Sequence, residues 1–157
     1  MTSREIIWAS LVRENGFATV AEIGVAQAFS ASYVLNTSAV DKYYMVDPAS
    51  SRGIIITLSK YRERAVFLCM TSEAASNQFD NESLDMVIID ALHDYDHVKQ
   101  DLTLWLPKVR RGGIITGHDY NSKRFPGVKQ AVYEVLGNNI KAFDVRKCQV
   151  FVWRKPF

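Results

Sequence analysis

Asp90 and Asp119 each close a short apolar run, Met86-Val87-Ile88-Ile89-Asp90 and Ile114-Ile115-Thr116-Gly117-His118-Asp119. Uninterrupted runs of this kind read as parallel strands buried on both faces. A single helix-length stretch separates them, so the two strands are expected side by side. Neighbouring strands lie about 4.8 Å apart, which brings both carboxylates to one rim with His93 and His118 close by. Such a cluster can hold a divalent cation or move a proton, and open α/β sheets take their ligands at that rim. One strand-end aspartate is more simply a helix N-cap. Two on adjacent strands, with two histidines, favour a site.

The elements that must carry these groups follow from periodicity. Residues 3 to 14 form an amphipathic helix with Ile6, Ile7, Leu11 and Val12 apolar, ended by Gly16. A first strand over 19 to 24 runs into a turn, and a helix opens at Ser30. The second strand, from Tyr43, is stopped by Pro48. A helix over 54 to 64, a third strand over 65 to 70 and a short helix over 73 to 79 come next. After Asp90, the positions of Val98, Leu102, Trp105 and Leu106 define one apolar helix face. Pro107 stops that helix, and Gly112-Gly113 is expected to turn the chain into the fifth strand. A helix over 127 to 136 precedes two strands, 140 to 145 and 149 to 154, joined as a hairpin through Arg146-Lys147-Cys148. This order predicts an α/β fold: a Rossmann-like, doubly wound, mainly parallel seven-stranded sheet with an antiparallel C-terminal hairpin. No linker or repeat divides it, so 1–157 is read as a single domain.

Composition narrows the classes. A length of 157 residues, 48% apolar and 23% charged, suits one soluble domain with a full core. A net charge of +2 gives no footprint for nucleic acid. The basic groups Lys108-Val109-Arg110-Arg111 and Lys123-Arg124 read as solvated turns. No apolar stretch reaches the length of a membrane span, and the N-terminus lacks the apolar region of a secretory signal. Cys69 and Cys148 fall in strand-like runs and read as buried free thiols rather than a disulfide. A cytoplasmic protein with no membrane partner is expected.

Three features mark a nucleoside-like ligand. The turn Glu22-Ile23-Gly24-Val25-Ala26-Gln27-Ala28-Phe29-Ser30 has small residues at 24, 26 and 28, which let a ligand approach the backbone. Asp47 ends the second strand roughly 20 residues on, where a carboxylate can accept ribose hydroxyls. Asp90 borders the crevice. A dinucleotide prefers G-x-G-x-x-G for its pyrophosphate, whereas here only Gly24 is glycine and Glu22 adds negative charge. An acidic, glycine-poor turn suits a ligand with a cationic amino-acid end and no phosphates, and S-adenosylmethionine fits that description.

The segments Glu22-Ile23-Gly24, Val46-Asp47-Pro48, Ile89-Asp90-Ala91-Leu92-His93-Asp94-Tyr95 and Gly112-Gly113-Ile114-Ile115-Thr116-Gly117-His118-Asp119-Tyr120 together resemble the class I S-adenosylmethionine-dependent methyltransferases. The likeness is greatest to the small-chain, metal-dependent sugar and catechol O-methyltransferases, and runs from residue 18 to the end. It implies that Glu22 and Gly24 line the methionine end of the cofactor, that Asp47 holds the ribose, and that Ser72 borders the adenine, with Ser30 also among the cofactor-binding residues. Asp90 and Asp119 match metal positions, Asp90 also bordering the cofactor, and His93 stands where the family has its general base. His118 replaces a glutamate of the macrolide-sugar enzymes, and its role is open between metal ligand and loop hydrogen bond. Tyr120 replaces the asparagine of catechol enzymes, and Ala28 a glycine.

The chemistry implied is methyl transfer from a sulfonium to the oxygen of a small hydroxylated acceptor, with Mg²⁺ on Asp90, Asp119 and His118. A non-catalytic cofactor-binding module is the alternative, because little chain remains for a substrate lid. An NAD-dependent oxidoreductase is disfavoured by the acidic turn. A zinc pairing of His93 with His97 is weaker than a solvated His97. Phe125-Pro126-Gly127 can border the acceptor pocket or serve only as a turn. A second copy could cover the pocket through the N-terminal helix or the hairpin, giving a homodimer.

Overall fold

The seven-stranded sheet runs in the order β3-β2-β1-β4-β5-β7-β6. The structure, a computed structural model, describes residues 3–145 and 148–157. Its strands are β1 (Thr19–Ile23), β2 (Lys42–Val46), β3 (Ala65–Leu68), β4 (Leu84–Ile89), β5 (Val109–Gly117), β6 (Ile140–Val145) and β7 (Cys148–Arg154). The helices are α1 (Ser3–Asn15), α2 (Phe29–Thr37), α3 (Arg52–Tyr61), α4 (Ser72–Ser76), α5 (Tyr95–Trp105) and α6 (Pro126–Leu136). The first five strands pair in parallel, and β7 pairs antiparallel with both β5 and β6. The expected mainly parallel sheet with a terminal hairpin is therefore the fold. The link at Arg146 and Lys147 lies outside the described residues, as does the expected burial of Cys148.

Period-two alternation along β4 explains the two cores. Met86 and Ile88 join Trp8, Val12, Val34, Leu35 and Tyr43 on one face. Val87 and Ile89 join Val98, Leu102, Trp105, Val132 and Phe151 on the other. Both faces are dry, so the central strands need no polar alternation. At the opposite, N-terminal rim, Asp85 fastens β4 to β1 by accepting from the Ala18 and Thr19 amides at 2.7 and 2.8 Å.

The chain builds outward from β1 through β2 to β3, then returns to lay β4 and β5 on the other side of β1. The topological switch thus falls between β1 and β4, and this is where a crevice opens in such sheets. Gly24, just past β1, has φ +86°, and a Cβ there would stand 2.4 Å from the Ala91 Cα just past β4. Only glycine lets the two strand ends come this close.

Two expectations are corrected here. Gly112 and Gly113 do not turn into β5 but lie within it, beyond Val109, Arg110 and Arg111. Gly112 takes φ +70°, and pairing jumps from Leu84↔Val109 to Met86↔Ile114, an irregularity that absorbs the extra residues. Arg110 is accordingly no solvated turn residue; its Nε donates to Asp85. Cys69 is exposed rather than buried, because β3 ends at Leu68 and the chain leaves the sheet there.

Candidate active site

Glu22 is buried at the end of β1, where its Oε2 accepts from the Tyr43 hydroxyl at 2.8 Å. Burial, with the nearby Asp90 charge adding to it, pushes this carboxyl up to about 8. Glu22 is therefore protonated at neutral pH in the free protein. The turn thus presents no carboxylate charge of its own, and the case against a phosphate ligand rests on its single glycine. Asp47 shapes the turn from the neighbouring strand end. Its Oδ2 accepts from the Val25 and Ala26 amides at 3.0 and 3.1 Å, and its Oδ1 from Ala49 at 2.9 Å. A carboxylate has roughly four acceptor sites, so capacity for a ribose hydroxyl remains. Ala26 and Ala28 take φ 47° and 56°, the left-handed conformation that glycine adopts without strain. Around this turn lies a cavity of about 350 Å³ bordered by Arg4, Glu22, Gly24, Ser30, Asp90 and His93.

Asp90 stands at its wall, with Asp119 reached through His93. The Asp90 amide donates to Ile23 at 2.9 Å, fixing the residue at the rim. Its Oδ2 accepts from Arg4 Nη1 at 2.9 Å, and its Oδ1 faces His93 Nε2 at 3.5 Å. His93 Nε2 is 3.1 Å from Asp119 Oδ2, which is in turn 3.1 Å from His118 Nδ1. Asp119 takes φ +58°, a conformation that Asp tolerates better than most residues. The His93 ring stacks on Phe125 with centroids 5.0 Å apart. Contact with Asp90 holds the imidazole above its ordinary pKa; burial opposes this, and the Asp119 charge assists it. Neither aspartate is a helix cap, since Asp94 caps α5 and Phe125 precedes α6.

Asp90 Oδ1 and His93 Nε2 are buried, and neither has a well-directed hydrogen-bond partner among the described residues. Their 3.5 Å separation is too long and too poorly aligned for a hydrogen bond, although it is a charge contact. Ligand atoms of Asp90, His93 and His118 all lie within 4.8 Å of one another. A small cation would fit this donor set. The oxygens suit Mg²⁺, whereas imidazole nitrogens favour ions such as Zn²⁺ or Fe²⁺.

Residues 21–120 match the family described as methyltransferase domain. The chain belongs to that family. No curated protein matches it in sequence. Among solved structures, a protein of Corynebacterium glutamicum superposes with TM-score 0.78 at 16% identity, over 100% of this chain and 82% of that one. An O-methyltransferase from Bacillus cereus in complex with SAH gives 0.70 at 18%, over 97% and 80%. An N1-methyltransferase of Burkholderia thailandensis with bound S-adenosylhomocysteine gives 0.69 at 14%, over 98% and 79%. At these identities the likeness speaks for the fold.

In this methyltransferase domain the predicted residues fall into two groups. Glu22, Gly24, Ser30, Asp90 and His93 share one cavity, with Asp119 and His118 against His93. Ser72 borders a second cavity of about 350 Å³, with Pro48, Thr71, Leu92 and Asp101. Its hydroxyl is committed there, donating to Asp101 and accepting from Trp105 Nε1 at 2.9 Å. His97 is exposed, its Nδ1 2.7 Å from Asp94 Oδ2, so it is paired with Asp94 and not with His93. A cleft of about 640 Å³ between α1, α2 and α3 contains none of the predicted residues. The sequence reading missed Arg4 and Tyr43. Tyr43 could have been found, because parallel pairing of β1 with β2 places it one strand over from Glu22. Nothing local marks Arg4, whose place depends on how α1 packs.

Proposed function

We propose that this protein transfers a methyl group from S-adenosylmethionine to a hydroxyl oxygen of a small acceptor, sugar-like or catechol-like. In the transfer the acceptor oxygen forms a bond to the methyl carbon, the sulfur–carbon bond breaks, and S-adenosylhomocysteine leaves. The proton of the hydroxyl goes to the neutral imidazole of His93. The observation that carries this reading is the buried pair of Asp90 Oδ1 and His93 Nε2, in charge contact but without a hydrogen-bond partner among the described residues, at the edge of the Glu22–Gly24–Ser30 cavity. A binding-only module has no use for a buried imidazole nitrogen and a buried carboxylate oxygen that both lack a hydrogen bond, since each such atom costs folding energy.

Supporting the division of labour, Gly24 and the left-handed turn leave room for the methionine end, and Asp47 retains acceptor capacity toward a ribose. Ser72 offers backbone and surface to an adenine while its hydroxyl orients Asp101. Asp119 and Asp90 raise the proton affinity of His93, and the stacked Phe125 fixes the ring plane while shielding it from water. A divalent cation, Mg²⁺ in our reading, would be held by Asp90, Asp119 and His118 and would lower the pKa of the acceptor hydroxyl when bound.

The test separates chemistry from binding. An acceptor screen that detects released S-adenosylhomocysteine identifies a substrate, and His93→Ala is then assayed on it. General-base loss typically lowers turnover about 10²- to 10⁴-fold. Affinity for S-adenosylhomocysteine, measured by calorimetry, should stay within about threefold. An unchanged rate would remove His93 from the role of base.

A further inference from the structure

Arg4 is the feature that the reading above leaves without a task. It enters the cofactor cavity from α1, an element outside the nucleotide-binding turn. Its position is held by Trp8, one turn further along the same helix face. Trp8 is fully buried and donates from Nε1 to Thr116 Oγ1 at 3.2 Å, pinning α1 across β5. The Arg4 guanidinium carbon sits 5.8 Å from the Trp8 ring centroid. Nη1 donates to Asp90 at 2.9 Å, and Nε has only a long contact with Glu5 at 3.5 Å. Burial disfavours the charge, but the Asp90, Glu5 and Glu22 carboxyls outweigh it. A guanidinium carries five donors in a rigid fork, so the pair with Asp90 leaves donors free toward the cavity.

We infer that Arg4 recognises the α-carboxylate of the methyl donor, and so selects for the intact amino-acid end of that ligand. The inference rests on the proposal that the cavity takes S-adenosylmethionine. The ligand's amino-acid end is a zwitterion. The cavity offers a matching pair of poles: a fixed cation at Arg4 and the carboxylate of Asp90, with the Glu22 carboxyl as a further acceptor beside it. Arg4 takes the carboxylate by charge-assisted, fork-like hydrogen bonds, while the carboxyl groups face the ammonium. The pair with Asp90 keeps the fork aimed into the cavity before the ligand arrives, which lowers the ordering cost of binding. The first turn of α1 is thereby part of the cofactor site.

The experiment compares S-adenosylhomocysteine with its decarboxylated analogue, S-adenosyl-3-thiopropylamine, by calorimetry on the parent protein, Arg4→Gln and Arg4→Lys. The two ligands differ only in the carboxylate. The parent should prefer S-adenosylhomocysteine by about tenfold or more. Arg4→Gln should erase that preference, weakening S-adenosylhomocysteine while leaving the analogue within about twofold. Retained binding of the analogue also reports that the cleft is folded. Arg4→Lys should keep part of the preference, because charge remains while the fork is lost. Equal weakening of both ligands in Arg4→Gln, or no change in either, would make Arg4 a structural partner of Asp90 and overturn the inference. If the parent binds neither ligand, the cofactor reading itself fails, and the assignment of Arg4 with it.

Discussion

Glu22 and Asp90 are neighbouring carboxyl groups with different partners. Asp90 has Arg4 at 2.9 Å, whereas Glu22 is enclosed with the Tyr43 hydroxyl as its close partner. Burial, reinforced by Asp90, raises Glu22 to about 8 from an ordinary 4.5. The consequence for stability has a definite sign. Between those two values the folded chain holds a proton that the unfolded chain has released, so stability falls as pH rises through this window. Below 4.5 both states are protonated and this contribution is fully present; above about 8 it is lost. Glu22→Gln keeps the shape and removes the titration. We expect the thermal midpoint of the parent to drop relative to Glu22→Gln as pH is raised from 5 to 8. Parallel midpoint–pH curves for the two proteins would show that Glu22 ionises freely in the fold.

Backbone conformation in the β1–α2 turn separates two substitutions that look alike on paper. Gly24 combines φ +86° with backbone atoms of Asp90 and Ala91 within 2.6 Å of any Cβ. Gly24→Ala must therefore push β1 and β4 apart, and we expect a loss of about 3 kcal/mol or more in denaturant melts. Ala26 is exposed and carries its methyl group at φ 47°. Ala26→Gly relieves a strain of roughly 1–2 kcal/mol against a backbone-entropy cost of about 0.5–1 kcal/mol. It should leave stability unchanged or raise it by up to about 1.5 kcal/mol, the reverse of an ordinary Ala→Gly change. These elements also show what a chain can and cannot reveal. Continuous apolar runs marked β4 and β5 as buried neighbours, and strand adjacency then brought Asp90, His93 and Asp119 together. The start of β5 was misread because Gly112-Gly113 has turn chemistry, while an irregularity in a sheet uses the same residues. Arg4 was invisible because the face that α1 presents is set by Trp8 seating against Thr116, a contact 108 residues away in sequence.

At the scale of the whole molecule, the switch between β1 and β4 gathers side chains from α1, β1, β4 and β5 around one crevice. The core needs no ligand to close it, since both faces of the sheet are dry. No described helix is long and apolar enough to cross a membrane. Ligand binding should therefore act by mass action on an already folded domain. At one hundred times its dissociation constant a ligand specific for the folded state adds about 2.7 kcal/mol. For a chain of this size that corresponds to a rise of roughly 5–10 °C in thermal midpoint. S-adenosylhomocysteine should produce this rise, and NAD should not, because a turn with one glycine does not let a pyrophosphate approach its backbone. The metal adds a second axis. After chelation, returning Mg²⁺ should raise the midpoint of the parent but not of Asp119→Asn, which lacks one proposed oxygen ligand. A larger response to Zn²⁺ or Fe²⁺ than to Mg²⁺ that disappears in His93→Ala would place the His93 imidazole in the coordination shell, and His93 could not then serve as the base. A rise with NAD comparable to that with S-adenosylhomocysteine would move the crevice to dinucleotide chemistry.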